Sequence, residues 1–380
     1  MLRTSKLLLP LLAVGVVAGV IGVWDRFATG ERALALGSYV PWGMWIGLYV
    51  YLVGVSGGAF LVAFLHNTLG IAALARPARY AVPISLVTLG AGLFLVMLDL
   101  GRVDRVYELF TRTSFSSVLG AMIWVYTIYG VVLLAMLVAL ARGWTAQLPW
   151  LALSGMVLVV TFGGGEGALF GVVAAKSVWS SAILPVRFLL SAAAAGLALV
   201  ALATALFHRG PIDAEDQAAR SLLRRGIVLA LGGFVVVEFA ELSIAMYSRI
   251  PAVVEAHRLI LFGPYWWMFW VVQLGLGIVL PLALLWRSRP GSVRLGAAAT
   301  AVVVGLAGAK QNIVLPGLAI PEMKGLPEAF VDPRLTTAYF PGSTEWLVAV
   351  GVIAAAALVF ILAVEFVPFL RPAVERKVAQ

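Results

Sequence analysis

Ten apolar runs of membrane-spanning length leave this 380-residue chain almost nothing from which to build a soluble domain. A helix that crosses a bilayer needs about 20 predominantly apolar residues. Such runs fall at 7–23, 44–69, 80–100, 118–141, 148–162, 183–207, 227–248, 266–286, 295–314 and 346–369. A helix also satisfies its own backbone polar groups, which lipid cannot do. The expected fold class is therefore an all-α integral membrane protein of about ten transmembrane helices. The fifth run is short and closes on GGGEGALFG, which predicts a broken or re-entrant helix. The first follows Arg3 and Lys6 but has no convincing small-x-small cleavage site, so it reads as an uncleaved anchor.

Lys and Arg set the expected orientation. With ten spans, both termini share a side with the loops after the second, fourth, sixth and eighth helices. That side holds more than half of the 27 Lys and Arg and, of the acids, only Asp213, Glu215, Asp216 and Glu375. Both termini are expected in the cytoplasm, and the longer opposite loops on the periplasmic face of a bacterial inner membrane. The net charge of +9 follows from this topology and is no signal for nucleic acid. Zero cysteines exclude disulfides and a cysteine-ligated iron–sulfur cluster in this chain.

A weak internal duplication organises the spans. Pro41 stands 58 residues before Asp99, and Pro185 stands 56 before Glu241; Trp124 and Trp266 each follow their acid by 25. Small residues at 54–58 and 191–196 permit close helix approach. Helices 2–5 and 6–9 are therefore expected to form two related four-helix bundles flanked by helices 1 and 10. The corresponding units are 1–36 (anchor and loop), 37–180, 181–314, and 315–380 (loop and last helix).

Charges inside apolar runs point to chemistry, since one at mid-membrane costs roughly 2.5–3.5 kcal/mol on insertion scales. Asp99 and Arg102, in LDLGR, stand at i and i+3 and can face each other if the helix continues. They suit either an ion pair capping a helix end or a proton acceptor beside a quinone ring. Trp42, Trp45 and Tyr49 open the second helix in PWGMWIGLY; they suit an interfacial aromatic belt, or an aromatic wall and phenol donor for a flat quinone. Glu238 and Glu241 share a helix face, where two like charges cannot both ionise cheaply. That arrangement fits a proton relay and equally a transporter's cation site, with Lys310 a possible counter-charge. Glu166 belongs to a polar cleft or a water-facing loop. His66, at the far end of helix 2, is a proton-uptake point or an interfacial histidine bonded to a loop. With His208 and His257 in loops on opposite sides, no helix-borne histidine pair exists to ligate a haem, and no metal site is expected.

Four segments carry a family resemblance: PWGMWIGLYVYLVGVSGG, LDLGRVDRVYELF with TSFSSVLGAMIWVYTIY, FAELSI, and YFPGSTEWLVAVG. Together they resemble the NrfD-like family of polysulfide reductase membrane subunits, in its ten-helix branch, over about Gly37 to Pro372. The resemblance implies a membrane subunit that binds menaquinone or ubiquinone near the periplasmic face. It also implies a ferredoxin-like iron–sulfur partner above, with a molybdopterin, hydrogenase or multihaem catalytic subunit beyond. On its motifs Tyr49, Asp99, Arg102 and Glu241 take the family's polar positions. An acid often found early in helix 4 is replaced near Ala121, a histidine-containing segment after helix 5 reads GGGEGALFG, and the basic residue of helix 9 is Lys310. Proton transfer through Asp99, Glu238, Glu241 and His66 is the expected accompaniment, with Trp42, Trp45, Tyr49, Asp99 and Arg102 around the quinone. A proton- or cation-coupled secondary transporter is the alternative, and a passive anchor a third.

Overall fold

The computed structural model describes residues 3–370, except 174–175, 209–210, 287–290, 322, 324, 326–328, 330–331 and 333, with residues 3–7 described in backbone only. Much of the long connection before the last helix, and the C-terminal residues counted on the terminal side, thus lie outside the described residues. Among the described residues ten helices are long and apolar enough to cross a membrane, and the chain is a multi-pass membrane protein. They are α1 Arg3–Thr29, α2 Met44–Asn67, α3 Ala75–Asp99, α4 Val118–Arg142 and α5 Leu148–Gly171. The second five are α6 Leu184–Phe207, α7 Ala214–Tyr247, α8 Met268–Leu285, α9 Ser292–Ala319 and α10 Ser343–Phe366.

Three elements differ from expectation. α5 is not broken: it runs unbroken through GGGEGALFG. Gly163 and Gly167 sit where a Cβ would strike Leu189 and the Pro185 backbone, and Gly165 packs on Met122. These glycines let α4 and α6 approach, and in lipid no water competes for the backbone bonds they would otherwise lose. α7 begins at Ala214, well before Ile227, because Asp213 caps it: its carboxylate accepts from the Asp216 amide at 2.8 Å. α8 opens with a π-helical stretch, Met268–Val279, a rare geometry that concentrates at functional positions.

α2 occupies the centre and packs on α3, α5, α6 and α9, while α1 pairs with α10 at the periphery. The α2–α6 crossing is tight: a Cβ on Gly58 would strike the Ala192 carbonyl oxygen, and one on Gly196 the Ala59 amide. Overpacking a core costs roughly 1–3 kcal/mol, and here backbone is the obstacle. Gly58→Val is therefore expected to lower the thermal midpoint of the detergent-solubilised protein by more than any exposed valine substitution. A midpoint equal to wild type contradicts the crossing.

On the face where α3 and α7 begin, Arg76 binds Asp213 through two hydrogen bonds of 3.0 and 2.7 Å and lies 2.7 Å from both Glu215 and Asp216. The Arg76 guanidinium, with the Asp216 amide, holds the Asp213 carboxyl down to about 2. A carboxyl so lowered stabilises the fold above its unfolded value of about 4 and loses that contribution as pH falls through about 2. Asp213→Asn should thus be less stable than wild type from pH 7 down to pH 5. The gap should close between about pH 4 and 2 as wild type loses the same contribution. Thermal midpoints of both proteins across that range test this, and a gap independent of pH refutes it.

Candidate functional site

The acids of α7 meet a cation that sequence reasoning missed. Arg187, one turn into α6, places Nε 2.6 Å from Glu238 Oε2, donates through Nη2 to Glu238 Oε1 at 2.8 Å, and through Nη1 to Glu241 Oε2 at 2.9 Å. Glu238 and Glu241 therefore flank a guanidinium and do not face each other alone. Their counter-charge is Arg187, and Lys310 stands one step further off. Gln273, in the π-helical stretch, donates to Glu238 Oε1 at 3.0 Å and accepts from the Asn312 amide at 2.8 Å. Beside this set lies a cavity of about 40 Å³, lined by Trp179, Arg187, Glu238, Glu241, His257 and Asn312. At about 10–15 Å³ per water it holds a few water molecules and nothing larger.

A second cluster sits across the bundle. Tyr49 and Tyr126 share a 2.9 Å hydrogen bond, and the Tyr126 hydroxyl donates to Glu166 Oε1 at 2.9 Å. Glu166 is 2% exposed, so it sits in a polar cleft inside the helix bundle and not in a water-facing loop. Lys310, 3% exposed, lies 3.3 Å over the Phe188 ring, within electrostatic reach of Glu166 and also of Arg187 and Glu238. It thereby lies between the two clusters. Its neighbours on α9 are bonded: the Gln311 amide donates to the Met44 carbonyl at 2.9 Å, and Asn312 donates to Gln273. A Cβ on Gly47 would collide with the Gln311 amide at 2.5 Å, which explains a glycine there.

The five residues expected around a quinone have separate partners, with Glu345 common to Trp45 and Asp99, and Arg102 turned to Asp104. Trp42 stacks on Trp179, centroids 5.9 Å apart, with Phe170 edge-on to both; Trp179 also donates to the Ile313 carbonyl at 2.8 Å and reaches the cavity beside Arg187. Trp45 is fully buried and donates to the Glu345 carbonyl at 3.0 Å. The Glu345 carboxylate accepts from the Ala35 and Gly342 amides and from the Tyr339 hydroxyl, so this group staples the start of α10 to the loop before α2. Burial and that carboxylate push the Tyr339 phenol up.

Asp99 and Arg102 do not face each other. α3 ends at Asp99, Leu100 is extended, and Arg102 pairs with exposed Asp104 through bonds of 3.1 and 3.0 Å. Asp99 is half-buried near Arg26, Glu31 and Glu345. Arg26 itself donates to the Leu98 and Leu100 carbonyls at 3.1 and 3.0 Å, closing the end of α3. His66 donates through Nδ1 to the Ile71 carbonyl at 3.2 Å and holds the α2–α3 turn. Sequence reasoning also missed Tyr126, Gln273 and Asn312. Arg187 alone had a signal, an arginine one turn inside an apolar run; the others are ordinary polar residues until their neighbours are known.

The sequence profile described as "Polysulphide reductase, NrfD" matches residues 34–322. A selenate reductase subunit of Mesobacillus selenatarsenatis is 29% identical, over 96% of this chain and 94% of that protein. The Hdr-like menaquinol oxidoreductase integral membrane subunit of Archaeoglobus fulgidus is 24% identical, over 87% of this chain and 85% of its own length. Protein NrfD of Escherichia coli is 26% identical, over 66% and 86% respectively.

Proposed function

The chain belongs to the NrfD, polysulphide reductase, family, and from that premise we propose that it is the quinone-linked membrane subunit of a respiratory oxidoreductase complex. It exchanges electrons between menaquinone or ubiquinone and a ferredoxin-like iron–sulfur partner. That partner docks on the face opposite the two termini and leads to a molybdopterin, hydrogenase or multihaem catalytic subunit. Both termini are cytoplasmic, as the Lys/Arg bias supports. Residues 37–180 and 181–314 form the two related bundles, a reading supported by the packing of α2 with α3 and α5 and of α6 with α7 and α9.

The observation that carries the proposal is a buried polar chain in two hydrogen-bonded parts, Tyr49–Tyr126–Glu166 and Glu238–Arg187–Glu241, with Lys310 within electrostatic reach of both. Ionisable groups inside a membrane are costly and face each other when they move protons. A quinone takes up or releases protons with its electrons, and the aromatic wall of Trp42, Trp179 and Phe170 beside this chain suits a flat ring. Selenate reductase and menaquinol oxidoreductase, in the names of two relatives, are redox systems of the kind proposed. A cation-coupled transporter is served less well, because Arg187 already fills the place between the paired acids.

Purification in mild detergent at native expression level tests the proposal. A co-eluting iron–sulfur subunit and stoichiometric extractable quinone are expected. A quinone-free chain that elutes alone, and that drives ion flux in vesicles, overturns it.

A further inference from the structure

The connection between α5 and α6 and the end of α7 border a second cavity, of about 360 Å³, which of the polar chain's residues includes Glu241 alone. Ser177, Ser180, Ser181 and Ser248 supply hydroxyls to its wall, and Ile183, Ile244 and Ile250 supply apolar surface. Glu241 and His257 line both this cavity and the 40 Å³ water-sized pocket, so the two adjoin through them. We propose that this cavity is a binding site for the headgroup of a membrane quinone. The inference rests on the quinone-linked reading above and assigns it a place between the α5–α6 connection and the end of α7, with none of Tyr49, Asp99 and Arg102 in its lining.

Size, lining and depth support it. Small-molecule sites run from about 300 to 1,000 Å³ and combine an apolar wall with few polar groups that fix orientation. The polar groups here are suitably placed. The Nδ1 atom of His257 donates to the Val253 carbonyl at 2.7 Å, which leaves Nε2 for a ligand. Arg187 engages only Oε2 of Glu241, which leaves Oε1. His257 belongs to a short amphipathic helix, Pro251–Leu261, whose Val253 and Ala256 are buried against the bundle. Around it Tyr247, Phe262 and Trp266 are exposed at 87%, 76% and 50%, as an aromatic belt at the lipid–water boundary would be. The cavity therefore lies at the depth where an amphiphile carries its polar head. A ring seated there lies beside Glu241, the end of the buried polar chain.

Photolabelling of the purified full chain with an azido-ubiquinone, followed by peptide mapping, tests the site. Label displaced by excess unmodified ubiquinone is expected on peptides covering 177–183 and 244–257. Ser181→Trp, which fills the cavity, should lose most of that label while keeping its helical circular dichroism. Displaceable label confined to 42–49 and 166–173 overturns this site and leaves the quinone-linked reading standing. Label at 177–183 displaced by phospholipid but not by ubiquinone makes the cavity a lipid site and overturns the proposal. No displaceable label anywhere overturns both. Mapping on the unmodified chain decides among these outcomes even if the tryptophan variant fails to fold.

Discussion

Arg187→Met is expected to destabilise the protein by about 3–5 kcal/mol, the usual consequence of removing one partner from a buried ion pair. The guanidinium stands within 2.6–2.9 Å of both Glu238 and Glu241, so its loss leaves two carboxylates one helical turn apart with no cation between them. Methionine keeps most of the apolar stem, which confines the change to charge and hydrogen bonds. The triple variant Arg187→Met, Glu238→Gln, Glu241→Gln separates stability from function. Neutral replacement of a whole buried ionic set is often no worse than the set itself, so the triple variant should regain most of the lost thermal midpoint. Quinone-linked electron transfer in the assembled complex should stay abolished, because the acids are gone. A single variant as stable as wild type would mean that the ion pair contributes nothing, and recovery of activity in the triple variant would remove the acids from the mechanism. Thermal midpoints and turnover of the three proteins answer both questions.

The ease with which the spans can be read from sequence has a physical source. Bilayer thickness fixes the length of an apolar run, so α4, expected at 118–141, spans Val118–Arg142, and α6, expected at 183–207, spans Leu184–Phe207. α5 and α7 were harder for opposite reasons. Glycine signals a break in water, yet Gly163 and Gly167 serve close packing in α5; the Asp/Glu-then-Arg order after Pro211 suits a helix start, but no local signal joins it without a break to the apolar run, as α7 does from its Asp213 cap. The site divides in the same way. Glu238 and Glu241 stand out because charge in an apolar run is costly, and that cost is local. Their partners Arg187, Gln273 and Asn312 come from three other helices, and no spacing along the chain encodes such a meeting. Asp99 and Arg102 show where a spacing rule ends: i and i+3 coincide only while the helix lasts, and α3 stops at Asp99.

Glu166→Gln should slow proton-coupled turnover on the order of 10²–10³-fold, within the range for losing a positioned acid–base group, while leaving the fold recognisable. Glutamine keeps the shape and can still accept the Tyr126 hydroxyl, which now lies 2.9 Å from Oε1. What disappears is the ionisable carboxyl within electrostatic reach of Lys310, which is also within reach of Arg187 and Glu238. Tyr126→Phe provides the comparison, since it cuts the link from Tyr49 to Glu166 but leaves both ionisable groups in place. If protons pass along this chain, Glu166→Gln and Tyr126→Phe both slow turnover, and their effects do not add because each interrupts the same path. If Glu166 merely balances Lys310, the double variant Glu166→Gln, Lys310→Met restores turnover as well as stability. The deciding measurement is therefore quinone-linked turnover of the double variant: activity that stays low assigns Glu166 to proton movement, and activity that returns with the thermal midpoint assigns it to charge balance alone.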